Sequence, residues 1–183
     1  MPCGGCWMSA AASQRLFFAL WPDDETRAAL ATLIHTHIRR NGHAVAAANL
    51  HITLAFLGNQ SPEQRACLEV AASAVSAPPF ELSIDRLGHW ARPRIFWAGP
   101  SDVPDALKML VAELNQTLAA CGYQPEQRHF QPHITLARKA LRPPEHIQIP
   151  AIVWPAQEFC LVESVSGERG VEYRVMGRWP LQD

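Results

Sequence analysis

The chain has 183 residues, 48% of them apolar and 18% charged, which suits one globular domain or two small lobes on a shared core and excludes a disordered chain. Lys plus Arg total 16 against 17 Asp plus Glu, a net charge of −1, so the strong positive field of a protein that coats long nucleic acid is excluded. No run of about 18 apolar residues is present to span a membrane, and the first residues lack the charged and apolar regions of a signal peptide.

Residues 1–14 read as a flexible extension, and residues 15–20 as a buried first strand. Trp21-Pro22 breaks that strand, and Asp23 or Asp24 is placed to cap a helix. Leu30, Leu33, Ile34 and Ile38 recur at helical spacing, and the helix is expected to end near Asn41-Gly42. A small-residue stretch leads to His51 and an apolar run that stops at Gly58-Asn59. Ser61-Pro62-Glu63 then starts a second helix, expected to run to about Ser76 before Pro78-Pro79.

Residues 80–87 alternate apolar and polar side chains as one half-buried strand would, and Arg92-Pro93-Arg94 turns the chain into a short strand at 95–98. Pro104 opens a third helix with Leu107, Leu110, Val111, Leu114 and Leu118 on one face, ended by Gly122. A second apolar run follows His133, then a Pro-rich loop at 142–145, and residues 159–163 and 172–179 read as closing strands. His43, His89 and His146 fall near breaks and read as loop residues, His35 and His37 read as exposed helix positions, and Pro132 argues against a helical metal pair of His129 with His133. Helices and strands mix without a regular β-α-β alternation, which predicts an α+β fold with antiparallel sheets.

The five cysteines are Cys3, Cys6, Cys67, Cys121 and Cys160. Their odd number and scatter among apolar residues predict reduced thiols in a cytoplasmic protein. Cys3 and Cys6 form a C-x-x-C, but no second pair follows at zinc-site spacing, and no metal or other cofactor is expected.

Two phrases repeat: His51-Ile52-Thr53-Leu54 and His133-Ile134-Thr135-Leu136. In a strand, residues i and i+2 share a face, so each His stands beside its Thr while Ile52 and Ile134 turn away. A helix precedes each phrase, and the two lie a little under half the chain apart. This predicts two similar lobes, each giving one motif strand to a common cleft. Opening a cyclic phosphodiester with water needs a base, an acid, and donors for the non-bridging oxygens. Imidazole, with an ordinary pKa of about 6.5, suits the first two tasks, and threonine hydroxyls suit the third. A single H-x-T is a weak signal; two, in matching surroundings, are a strong one.

These phrases resemble the paired H-x-T-x signatures of the 2H phosphoesterase superfamily. With residues 15–20, Asn49-Leu50-His51, Phe56-Leu57-Gly58, Phe130-Gln131-Pro132-His133, Ala137-Arg138, residues 161–164 and Arg178-Trp179-Pro180-Leu181, the chain is similar to the RNA 2′,3′-cyclic phosphodiesterase (2′-5′ RNA ligase-like) family over residues 15 to 181. The resemblance implies a bilobal α+β fold with two antiparallel sheets flanked by helices, pseudo-two-fold symmetry around a central cleft, and residues 15–183 as a single bilobal domain. It implies metal-independent hydrolysis of a 2′,3′-cyclic phosphate to a 2′-phosphate, with His51 as proton donor and His133 as proton acceptor. Thr53, Thr135 and Arg138 would bind the phosphate. Phe130 is a candidate for stacking on a base, with core packing as its alternative. Gln131 stands where relatives often carry a basic residue. The partners expected are RNA 3′ ends with a 2′,3′-cyclic phosphate or cyclic nucleotides, with no membrane and no obligatory protein partner, the chain acting as a monomer. Two alternatives stay open: a non-catalytic RNA-end-binding module, and a phosphodiesterase for a small nucleotide such as an ADP-ribose cyclic phosphate.

Overall fold

The computed structural model describes residues 13–38, 42–141, 148–167 and 170–182. The extension through residue 12 with Cys3 and Cys6, Asn41, the loop at 142–145 and His146 lie outside the described residues.

β1 (Gln14–Leu20) serves two apolar layers at once. Leu16, Phe18 and Leu20 point into the main core, and Phe17 and Ala19 into a smaller cluster with Cys160 and Val162 on the opposite face. α1 (Asp24–His37) starts where expected: the Asp23 carboxylate accepts the Thr26 N–H at 2.7 Å, and Asp24 and Glu25 fill its first turn. The helix ends earlier than Asn41-Gly42, because Ile38 is its C-cap, bonds back to Ile34 and is itself buried. β2 (His43–Ala44) and a 3₁₀ turn at Ala47–Asn49 lead into β3 (Ile52–Gln60). α2 (Pro62–Ala72) carries a reciprocal Ser61–Gln64 capping box and stops short of Ser76.

The single strand expected over residues 80–87 is two strands in two sheets. β4 (Phe80–Ile84) and β5 (Arg86–Trp90) part at Asp85, whose carboxylate accepts the backbone N–H of Ser101 at 2.7 Å and its hydroxyl at 2.6 Å. β6 (Ile95–Gly99) follows. α3 (Asp105–Ala119) buries the five residues named from its stripe, Leu107 through Leu118. β7 (Ile134–Arg138) is the second motif strand. β8 (Ile152–Ala156) is not among the expected elements and carries Pro155. It pairs only with β4, which leaves an open edge where proline is tolerated. β9 (Glu158–Gly167) and β10 (Gly170–Pro180) close the chain.

The large sheet runs β10-β9-β1-β3-β7-β6-β5, with β2 added on β7, and β4-β8 forms a second, two-stranded sheet. Every pairing in both sheets is antiparallel. The motif strands β3 and β7 are neighbours at the centre, flanked by β1 and β6 in matching positions, which is the approximate two-fold relation expected. All three helices bury their apolar faces in the main core, which leaves the other face of the sheet to carry the site. Among the described residues no helix is long and apolar enough to cross a membrane.

The reading of the cysteines as reduced thiols is corrected. Cys67 on α2 and Cys121, just past α3, form a disulfide, with Cα atoms 5.9 Å apart. The two lie 54 residues apart in sequence, and the packing of α2 against α3 brings them together, a contact that neither cysteine's own neighbours announce. Among the described residues Cys160 is the free cysteine, and it is buried. His89 and His43 are also corrected from loop to strand: His89 lies in β5, where Nε2 is 3.0 Å from the Ala140 carbonyl, and His43 in β2.

Candidate active site

The two motif strands meet at one backbone pair, Ile52 opposite Ile134. Both side chains are fully buried. In an antiparallel register that pair puts His51 across from Thr135 and Thr53 across from His133. Each histidine thus faces the other strand's threonine. In an antiparallel ladder directly opposed Cα atoms lie about 4.5–5.5 Å apart and diagonal neighbours about 7–8 Å. A phosphate hydrogen-bonded on both sides spans a comparable width.

Both strands then bulge at the same place. Phe18 pairs with Ala55 and Ala19 with Thr53, so Leu54 is an extra residue of β3, as Leu57 is further along. Phe96 pairs with Ala137 and Trp97 with Thr135, so Leu136 is the extra residue of β7. A bulge resets the alternation. In β3 the burial runs Ile52 in, Thr53 half out, Leu54 and Ala55 in, Phe56 out; in β7 it runs Ile134 in, Thr135 half out, Leu136 and Ala137 in, Arg138 out. Arg138, five residues after His133, is thereby returned to the face that carries His133 and Thr135. Phe56 is its counterpart on β3.

The imidazoles are held alike. Nδ1 of His51 lies 2.7 Å from the Asn49 carbonyl, and Nδ1 of His133 lies 2.9 Å from the Gln131 carbonyl. A carbonyl only accepts, so each Nδ1 carries the proton and donates it. Nε2 is then the nitrogen free to exchange a proton with a ligand. The surroundings differ. His51 stacks on Trp21 with centroids 5.7 Å apart and also meets Phe17 at 4.9 Å and Tyr173 edge-on at 5.0 Å. His133 meets Trp90 edge-on at 4.5 Å. Burial is the main cause that lowers the His51 pKa, to about 4, opposed by the bond to Asn49 and reinforced by charge on His133 and Arg138. His133 is lowered as well, chiefly by burial and then, against its bond to Gln131, by Arg138. Both rings feel the Arg138 charge, and His51 feels His133, so the three groups share one electrostatic neighbourhood. At neutral pH both imidazoles are therefore neutral, beside the Arg138 guanidinium.

Beyond Thr53 and His133 the strands diverge and leave a cavity of about 470 Å³. Residues 53–56 of β3, Val111 and Asn115 of α3, the segment 123–131, and the Trp90–Pro93 turn line it. Phe130 sits in this wall and also packs against the main core. Gln131 and His129 are exposed at its mouth. Among the described residues no group of three His, Cys, Asp or Glu side chains gathers to hold a metal ion. Sequence reasoning missed Trp21, just past β1, and Trp90 and Tyr173 on β5 and β10, which reach the histidines from elsewhere in the chain. The carbonyls of Asn49 and Gln131 do have a local signal, since each precedes its histidine by two residues.

The sequence pattern described as the 2′-5′ RNA ligase superfamily matches residues 22–168. The RNA 2′,3′-cyclic phosphodiesterase of Escherichia coli (strain K12) is 37% identical over 173 residues, 92% of this chain and 97% of that protein. The crystal structure of E. coli LigT in apo form superposes with a TM-score of 0.83 at 34% identity, over 94% of this chain and 100% of that one. LigT complexed with 3′-AMP gives 0.82 at 35% identity, over 93% and 99%.

Proposed function

We infer the activity from one premise: the chain belongs to the 2′-5′ RNA ligase superfamily. It is an RNA 2′,3′-cyclic phosphodiesterase, a hydrolase of phosphodiester bonds, as its curated relatives are named. The observation that carries a two-histidine mechanism is the pair of Nε2 atoms presented from opposite sides of one backbone pair, each ring fixed by the same carbonyl bond.

In that mechanism the cyclic phosphate lies over the quartet of His51, Thr53, His133 and Thr135. His133 Nε2 takes a proton from water as the water oxygen bonds to phosphorus. The bond from phosphorus to the ribose 3′ oxygen breaks, and His51 gives that oxygen its proton. The product keeps a 2′-phosphate. Thr53 and Thr135 donate to the non-bridging oxygens, and Arg138 adds a charge-assisted contact. The low pKa of His51 in the empty site means that it must gain its proton with the substrate. An anion set between the two rings favours the charged form of either one, so binding and proton uptake are coupled.

Phe130 is the cavity wall against which the terminal nucleoside stacks. The substrates are RNA ends bearing a 2′,3′-cyclic phosphate or cyclic nucleotides; LigT complexed with 3′-AMP is a relative that holds a nucleotide. Residues 15–183 act as one catalytic domain, in a monomer, in the cytoplasm. There the Cys67–Cys121 bond, with Cys67 exposed, meets a reducing thiol pool. Phosphorus NMR of a 2′,3′-cyclic nucleotide incubated with the protein tests the reading. A single 2′-phosphate product is expected. A 3′-phosphate product would overturn the assignment of the leaving oxygen, and unchanged substrate would overturn the activity.

A further inference from the structure

His51 and His133 stand in near-identical phrases, yet the fold surrounds them unequally. Among the described residues His133 meets the Trp90 ring, whereas His51 meets Trp21, Phe17 and Tyr173. Phe17 belongs with Ala19, Cys160 and Val162 to the smaller apolar cluster, and Trp21 and Tyr173 pack against it. Tyr173 reaches the ring from far across the sheet, since β9 and β1 lie between β10 and β3. β1 pairs with residues 160–163 of β9. Residues 164–167 of β9 pair with residues 170–173 of β10, so this end of the hairpin runs past β1 as a two-stranded arm.

The arm is fastened at the start of β3. The Asn49 side-chain amide donates to the Val171 carbonyl at 2.8 Å, and the Tyr173 ring stands edge-on to His51. An arm on the far side of β1 makes both contacts only by bending over the open face of the sheet. Asn49 is also the residue whose carbonyl accepts the His51 Nδ1–H. One hydrogen-bonded path thus runs from β10 through Asn49 to the imidazole. At His133 the matching carbonyl belongs to Gln131, whose exposed side chain lies at the cavity mouth. We propose that Asn49 and Tyr173 are positioning residues for His51, joined by the β9–β10 arm into a clamp that fixes the ring with Nε2 toward the phosphate. The proposal rests on the two-histidine reading and adds what holds the proton donor in place. Asn49 sets the tautomer, because the bond at one ring nitrogen decides which nitrogen carries the proton. Tyr173 closes the ring in on the side of β10. A proton donor misplaced by about 1 Å can cost ~10²-fold in rate.

Two readouts on the whole protein test the clamp. Nitrogen-15 NMR of the protein without substrate reports the His51 tautomer at neutral pH. The unaltered protein is expected to show the Nδ1–H form, and Asn49→Ala a mixture of both forms. Steady-state kinetics on a 2′,3′-cyclic mononucleotide report the position of the ring. Asn49→Ala and Tyr173→Ala are each expected to lower kcat about tenfold or more, with KM changed by less than about twofold. Tyr173→Phe, which keeps the ring, is expected to hold the unaltered kcat, and Tyr173→Leu replaces Tyr173→Ala if circular dichroism shows that variant unfolded. A pure Nδ1–H form in Asn49→Ala, or an unaltered kcat in both Asn49→Ala and Tyr173→Ala, would overturn the clamp. So would a loss in Tyr173→Phe equal to that in Tyr173→Ala, since the hydroxyl and not the ring would then matter. Unaltered turnover in His51→Ala would instead overturn the two-histidine reading, on which the tautomer measurement does not depend.

Discussion

Lowering the pH should destabilise this protein through His51, by an amount the site fixes. The ring titrates at about 4 in the folded chain against an ordinary 6.5. Between those values the unfolded chain binds more protons than the folded one, so stability rises with pH in that window and is lost as pH falls through it. Linkage with these two values gives a loss of about 2 kcal/mol at pH 5 and about 3 kcal/mol at pH 4, relative to neutral pH. For a protein stabilised by roughly 5–15 kcal/mol this is a large share. The measurement is urea unfolding of the unaltered protein and of His51→Gln at pH 7, 6, 5 and 4. Carboxylates titrate in both proteins, so the difference between them isolates His51. That difference should move by about 3 kcal/mol, with the variant losing less stability in acid. A difference that stays within about 0.5 kcal/mol, or an NMR titration of His51 with its midpoint above 6, would refute the reasoning.

Four other outcomes are expected. His51→Ala and His133→Ala should each lower kcat by roughly 10²–10⁴ while far-UV circular dichroism stays unchanged, and the unaltered protein should keep its activity in EDTA. The pH profile of kcat/KM should be bell-shaped with both limbs below 6.5, since burial lowers both imidazoles in the empty site, and the basic limb of kcat should lie at higher pH because bound phosphate raises the ring beside it. Gly88→Ala would set a Cβ 2.1 Å from the buried Trp97 ring, so urea unfolding should show a loss of about 1–3 kcal/mol, and Trp90, which packs between Trp97 and His133, should shift in fluorescence. Cys67→Ser should cost about 2–4 kcal/mol relative to the oxidised protein, and equal stability of the variant and the oxidised protein would show that the bond does not form in solution.

The parts of the site legible in the sequence were those written at spacings of a few residues. His51 with Thr53, His133 with Thr135, and the caps at Asp23 and Ser61 all depend on near neighbours, and each stands where the pattern puts it. What escaped depends on partners far along the chain. Residues 80–84 and 86–90 read as one alternating strand because nothing local says that they join different sheets. The bulges at Leu54 and Leu136 lie in unbroken apolar runs, and only the register against β1 and β6 exposes them. β8 carries Pro155, whose tolerance depends on an edge that only the assembled sheet has. The Cys67–Cys121 bond and the aromatic rings around His51 are contacts across the fold, invisible to any window of sequence.

The bridge of Ile52 and Ile134 makes the proposed site, in mechanical terms, a seam inside one polypeptide. Each half brings its own histidine and its own hydroxyl, and a single rung joins the two motif strands. Sliding either strand by one place would swing both of its polar side chains into the oily layer beneath. An inserted or deleted residue at this rung would therefore turn the histidine and threonine of one strand away from those of the other.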